Sequence, residues 1–181
     1  MNRRDKIATD LLKNNIIMLT GQITPELSND IIQQLLFLDK AKISKKDNIE
    51  LYINSPGGCI VSGLAIYDTI KTLKKEVVTV GIGMCASMGA LLLCGAAKKG
   101  NRYILPNCQV MFHEASSNQP YDKVSQNRIR MAQTEHLSTR CVEIIAQHTG
   151  QEFEKLKVQL EKDIWLDGQA VLDFGAADII R

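Results

Sequence analysis

Apolar residues follow two rhythms along this chain. Runs of β-branched and large apolar residues at 16–19, 49–53 and 77–80 have the length and composition of buried strands. Between them, apolar residues return every three or four positions, the spacing of a helix with one buried face. Leu27, Ile31, Leu35 and Leu38 make one such stripe, and Leu64, Tyr67, Ile70 and Leu73 another. Residues 5–13 predict a short first helix. Thr24-Pro25-Glu26 is a good start for the second: a capping hydroxyl, a proline at the first helical position and an acid in the first turn. Residues 40–48 read as a charged loop. Strands and helices alternate throughout, which predicts an α/β fold in one domain over residues 1–181, with no internal repeat and no linker.

The pattern sharpens after residue 77. The run Val77-Val78-Thr79-Val80 meets Gly81 and Gly83, passes Cys85-Ala86-Ser87-Met88-Gly89, and continues as a helix through Leu91, Leu92 and Leu93. The two glycines predict a tight strand exit. A strand that turns sharply into a helix can hold a hydroxyl beside the unpaired N–H groups of the helix's first turn, where a nucleophile belongs. Ser87 is therefore the first candidate. Residues 102–105 and 109–113 read as short strands separated by Pro106-Asn107, and 115–120 is polar and irregular.

Residues 121–148 form one long helical pattern. Its first half is polar all round (Lys123, Gln126, Asn127, Arg128, Arg130), and its second half carries Leu137, Cys141, Ile144 and Ile145. A helix polar at one end should protrude or meet partners there. Gly150 ends it, and Thr149 with Glu152 predicts a capping box for the next short helix. A last helix near 168–173 stops at Gly175, before an edge strand at 178–180.

Composition narrows the function classes. An apolar fraction of 45% excludes wholesale disorder, and 22 Lys and Arg against 20 Asp and Glu argue against a nucleic-acid binder driven by net charge. The Arg3, Arg4 and Lys6 cluster reads as a solvated end. No apolar signal-peptide region is visible, and Asp5 and Asp10 among the basic residues fit a transit peptide poorly. The uncharged window 77–97 is long enough to raise a membrane span. Its strand-like first half and the interruptions at Gly81, Gly83, Ser87 and Gly89 make it a buried strand–turn–helix instead. Five cysteines (Cys59, Cys85, Cys94, Cys108, Cys141), with no C-x-x-C pair and no metal-ligand spacing, read as reduced, buried thiols of a cytoplasmic protein. No metal and no cofactor is expected.

Two chemistries compete at the glycine-bearing turns. Gly81-x-Gly83-x-x-Ala86 formally matches a dinucleotide-binding fingerprint, which needs an acid about 20 residues further on for the ribose. No Asp or Glu occurs between Glu76 and Glu114, so the match reads as accidental. Acyl transfer through a serine needs a base, an orienting acid and N–H donors for the oxyanion. Of three histidines, His136 lies inside the long helix and His148 at its C-terminal end, where a cation suits the helix dipole. His113 ends the apolar strand Val110-Met111-Phe112 and is the candidate base. Asp163, before Ile164-Trp165-Leu166, is a candidate acid that spacing alone does not select. The N–H groups of Gly58 and Met88 are candidate oxyanion donors.

These residues also carry a resemblance. Tyr52-Ile53-Asn54-Ser55-Pro56-Gly57-Gly58, Gly63-Leu64-Ala65-Ile66-Tyr67-Asp68-Thr69, Ala86-Ser87-Met88-Gly89-Ala90, Arg102-Tyr103-x-Leu105-Pro106-Asn107 and His148-Thr149-Gly150-Gln151 resemble the proteolytic-subunit family of the Clp protease, ClpP, from about Asp5 to the C-terminus. The resemblance implies a ClpP/crotonase-type α/β spiral of short strands and helices with a protruding handle helix at about 121–148. It implies a serine endopeptidase with Ser87 as nucleophile, His113 as base, Asp163 as orienting acid, and Gly58 and Met88 as oxyanion donors. It further implies a homo-oligomer of two stacked heptameric rings that degrades unfolded polypeptide delivered by an AAA+ unfoldase. The subunit's own hydrolysis would be ATP-independent, ATP being used by the unfoldase alone. No nucleic-acid or membrane partner is implied, and the expected location is the cytoplasm.

Three departures from the family pattern carry expectations of their own. The N-terminal segment and first helix occupy about 1–14, so the family's axial loop is expected to be missing or short, which bears on gating and on unfoldase docking. Tyr52, Val80, Ile82, Tyr103 and Leu105 remain as docking candidates. Glu114-Ala115-Ser116-Ser117-Asn118-Gln119-Pro120 replaces a glycine-rich strand expected to pair with an extended substrate. Gly57, Cys59, Ile60, Ala115, Ser116 and Ser117 are the candidates for that pairing, and Pro120 removes one donor. Glu161-Lys162 stands where the family has an acid–arginine pair, and lysine cannot make the bidentate contact. Two other readings stay open: a ring subunit with a mainly structural role or needing a paralogue for activity, and a crotonase-like acyl-CoA enzyme. Cys59 and Cys85 read as small packing residues rather than nucleophiles.

Overall fold

A computed structural model describes residues 3–41, 47–115 and 123–181 of the chain. In chain order its elements are α1 (Arg3–Lys13), β1 (Ile16–Thr20), α2 (Pro25–Lys40), β2 (Ile49–Ser55), α3 (Ile60–Thr72), β3 (Val77–Ala86) and α4 (Met88–Gly95), followed by β4 (Arg102–Ile104), β5 (Gln109–Phe112), α5 (Val124–Thr149), α6 (Phe153–Gln159), β6 (Ile164–Asp167), α7 (Gly168–Phe174) and β7 (Ile179–Ile180). The fold is α/β, as the alternation predicts. The start of the long helix expected at 121 lies outside the described residues, and α5 is described from Val124.

Parallel strands run in the order β1-β2-β3-β4-β7. β5 joins β3 in parallel, and β6 closes antiparallel onto β5. Helix α2 packs on α3 and β1, while α4 packs on β3, α3 and α5. The core between them includes Ile31, Leu35 and Leu38 of the predicted α2 stripe, together with Leu51, Ile53, Leu92 and Ile104. Thr24 caps α2 as expected, its hydroxyl accepting the Leu27 N–H at 3.2 Å. No helix of the described residues is long and apolar enough to cross a membrane.

The strand exit expected at Gly81 and Gly83 is elsewhere. Strand β3 continues through both glycines to Ala86 and changes partner on the way: Thr79–Gly81 pairs with β4, and Met84–Ala86 with β5. The glycines allow this switch without ending the strand. At Gly83 (φ +60°) an added Cβ would lie 2.9 Å from the Asn54 Oδ1 that accepts the Met84 N–H. One strand therefore reaches from the core to the site.

Two expectations at the end of α5 also change. Helix α5 continues through Thr149, and the cap of α6 is Glu152 itself, whose carboxylate accepts the Glu154 and Lys155 N–H groups. His148 is not a cation there. Burial, with the nearby charges of Lys71 and Arg102, pushes its pKa down to about 4, and its Nε2 shares a hydrogen with the Tyr67 hydroxyl at 3.0 Å. The charge under the end of α5 is Arg102, only 2% exposed, which donates to the carbonyls of Cys94, His148 and Gly175 and pairs through two nitrogens with Asp178. Burial raises the Asp178 carboxyl, but the Arg102 guanidinium and the Gly100 N–H outweigh it and hold the pKa below the ordinary range.

Candidate active site

Ser87 occupies the one-residue corner between β3 and α4, with φ 55° and ψ −120°. Two backbone bonds hold it: its N–H donates to the Met111 carbonyl at 2.8 Å, and its carbonyl accepts the Leu91 N–H at 3.0 Å. The next residue, Met88, opens α4, so its N–H belongs to the turn whose donors have no acceptor inside the helix.

The exit of β2 presses against this corner. A Cβ on Gly57 would stand 2.6 Å from the Ser87 Cβ and 3.0 Å from the Met88 nitrogen, so only glycine lets the two turns approach this closely. Beyond it, Ile23 donates to the Gly57 carbonyl and accepts from the Cys59 N–H, both at 2.8 Å. That bridge uses Gly57 and Cys59 and not the intervening Gly58 N–H. Gly58 and Met88, from two different turns, thus line the same cavity as Ser87.

His113 and Asp163 meet because of a strand that the sequence reading did not assign. Phe112 of β5 faces Ile164 of β6 in antiparallel register, so the next residues outward, His113 and Asp163, fall opposite one another. His113 Nδ1 lies 3.8 Å from Asp163 Oδ1, with side-chain exposures of 28% and 59%. This is ion-pair range, longer than a hydrogen bond. Ser87 and His113 line one cavity of about 490 Å³, counting its open mouth, and no hydrogen bond joins them among the described residues. Its walls include Gly58, Ile60, Met88 and Ala115. His136 is exposed on α5 and His148 faces Tyr67, so His113 is the imidazole at this cavity.

Other expected site residues are distributed less simply. The N–H groups of Gly57 and Cys59 already donate, to Ser55 Oγ and the Ile23 carbonyl, and so are not free to pair with an extended substrate. The reason is local: Ile23 lies against this turn as a one-residue parallel bridge. Ser116 and Ser117 lie outside the described residues. Against the expectation of buried thiols, Cys59 is exposed at the start of α3, with its pKa lowered by hydrogen bonds from Ser62. Tyr52, Val80 and Tyr103 fall in one register row across three strands. Val80 is 0% exposed, so as a surface contact it drops out, while Tyr52, Ile82 and Tyr103 are half-buried and Leu105 is exposed. Register extends the row to Met18 and Ile179, which sequence reasoning missed because neither pairing is local. Among the described residues no group of three or more His, Cys, Asp or Glu side chains is placed to hold a metal ion.

A model of the Clp protease family matches residues 1–181. Two curated proteins of Streptococcus agalactiae, from serotype V and serotype III strains, are each named ATP-dependent Clp protease proteolytic subunit. Each is 42% identical over 176 residues, covering 96% of this chain and 88% of the relative. A match over the whole length, together with this identity, shows that the chain belongs to the Clp protease family.

Proposed function

We propose that this chain is a serine endopeptidase subunit in which Ser87, His113 and Asp163 act as a catalytic set. The observation that carries the reading is that the Ser87 corner and the His113 end of β5 line one cavity, with Asp163 of a third chain segment 3.8 Å from His113. His113 takes the Ser87 proton as Oγ attacks the scissile carbonyl, then gives it to the leaving amine, while Asp163 holds the ring and stabilises the imidazolium. The Gly58 and Met88 N–H groups bind the oxyanion. Water hydrolyses the acyl-enzyme by the same steps, so the subunit itself consumes no ATP.

The relatives' name, ATP-dependent Clp protease proteolytic subunit, supports the wider proposal: a barrel of two stacked heptameric rings, fed with unfolded polypeptide by an AAA+ unfoldase. Exposed Val124, Ile129 and Met131 on the first half of α5 supply apolar side chains for a second copy. The row through Tyr52 and Tyr103 supplies a surface for the unfoldase. Because His113 and Asp163 stand beyond hydrogen-bond range in the single chain, we infer that assembly or substrate draws them together.

Ser87→Ala should leave the particle's mass unchanged and lower kcat for a short fluorogenic peptide by at least about 10⁴-fold, roughly 5 kcal/mol of transition-state stabilisation. Retained turnover would overturn the assignment. Labelling of Ser87 by a fluorophosphonate, with and without added unfoldase, separates an enzyme active alone from a ring subunit that needs a partner.

A further inference from the structure

Gly58 follows Gly57, and both have positive φ, +148° and +91°. A glycine pair has the widest choice of backbone conformations, so contacts from outside it must fix where the Gly58 N–H points. Two contacts do this. The Gly57 N–H donates to Ser55 Oγ at 3.1 Å, and the Gly57 carbonyl accepts the Ile23 N–H at 2.8 Å. Because the peptide between the glycines is trans, a carbonyl turned onto Ile23 sends the Gly58 N–H to the opposite side, and Gly58 lines the cavity with Ser87.

Ser55 is the last residue of β2 and is 0% exposed, so it does not reach the cavity itself. Its hydroxyl also donates to the Gly21 carbonyl at 2.6 Å, while the Gly21 N–H donates to the Asn54 carbonyl at 2.9 Å. One buried hydroxyl therefore ties the glycine turn to the loop between β1 and α2. The first turn of α4 packs on the same residue: an added Cβ on Gly89 would lie 3.0 Å from the Ser55 carbonyl oxygen. Gly89 follows Met88, so Ser55 sits against the turns of both proposed oxyanion donors.

We propose that Ser55 is a positioning residue for the oxyanion site, its hydroxyl holding the glycine turn so that the Gly58 N–H faces the reacting carbonyl. The proposal rests on the serine-endopeptidase reading. The hydroxyl gives its proton to Gly21 and a lone pair to the Gly57 N–H, a double role that alanine cannot fill. Without it the buried Gly57 N–H loses its partner and the glycines are free to turn. A donor displaced by about 1 Å costs up to about 100-fold in rate, and the loss falls on the transition state, where the oxyanion develops.

The test compares Ser55→Ala with the wild type as assembled full-length protein. With a short fluorogenic peptide, kcat should fall about 10- to 100-fold while KM changes by less than about threefold. A peptide boronate, whose tetrahedral adduct on Ser87 places an oxygen where the oxyanion forms, should bind the variant more weakly by a similar factor. A reduced-amide peptide, with CH2 in place of the scissile carbonyl, should bind both proteins equally within about twofold. A merely structural role would weaken both inhibitors together, or neither. Ser55→Cys keeps a side chain of similar size with a weak S–H donor; it should fall between the wild type and Ser55→Ala, and it carries the same comparison should alanine prevent assembly. With Ser87 of the wild type labelled by a fluorophosphonate, a kcat within about twofold of wild type, or parallel loss of both inhibitors, overturns the proposal and leaves the serine reading intact. Absence of that labelling, with and without added unfoldase, overturns both.

Discussion

His148 illustrates how a residue's surroundings reverse what its position in a helix suggests. At the last turn of α5 a protonated imidazole would favour the dipole, but Lys71 and Arg102 already occupy that neighbourhood and the ring is half-buried. Its folded pKa lies near 4 against an ordinary 6.5. The folded state thus binds this proton less readily than the unfolded one. The stability it contributes is complete above about pH 6.5 and is lost as pH falls toward 4. His148→Gln should flatten that part of the profile: the difference in thermal midpoint between variant and wild type should narrow from pH 7.5 to pH 4.5, and a constant difference would count against the assignment. Nothing in the residues near His148 in sequence reveals this, because Tyr67, Lys71 and Arg102 reach it from α3 and β4. Ser87 and His113 were more legible, one from the break between strand and helix, the other as the histidine ending an apolar strand. Asp163 was not selected by spacing, since what brings it to His113 is the register of β6 on β5.

Among the elements, amphipathic helices and long strands were readable, while short or interrupted strands were not. Strand β6 has only four residues, half of them exposed, too few to establish a period. In β3 the glycines signalled a break, but the strand uses them to change partner. Arg102 and Asp178 stand 76 residues apart, yet tie β4 to β7 and to the ends of α4, α5 and α7 through one buried guanidinium. Asp178→Ala would leave that cation unpaired in the interior, which costs about 3–5 kcal/mol. The urea midpoint should fall accordingly at unchanged m-value. Replacing both partners by apolar residues, Arg102→Met with Asp178→Leu, should cost less than the single change, because no charge is then left buried.

For the molecule as a whole, α5 has two roles along one length. Its second half presents Cys141 and Ile145 to the Ser87 cavity, while its first half leaves Ile129 and Met131 each 63% exposed. In the proposed barrel that first half meets another copy. Ile129→Glu should then shift the sedimenting species toward smaller assemblies at a given protein concentration and reduce peptidase activity with it; an unchanged particle mass would speak against this surface. An arrangement between copies is suggested only by family resemblance, since periodicity within one chain records which face of a helix is apolar and not what covers it.

The corner at Ser87 has one more consequence. A side chain with φ 55° and ψ −120° sits where glycine is comfortable and serine is strained by about 1–3 kcal/mol. If Ser87 is the nucleophile proposed above, its hydroxyl is presented at the expense of foldedness, a stability–activity trade-off written into a single torsion. Ser87→Gly removes the Cβ responsible and, after about 1 kcal/mol of extra freedom in the unfolded chain, should still melt at or above the wild type. Ser87→Ala, which keeps the Cβ, should melt below Ser87→Gly. If the order is reversed, the corner is not strained; if it holds, the inactive protein is the more durable one.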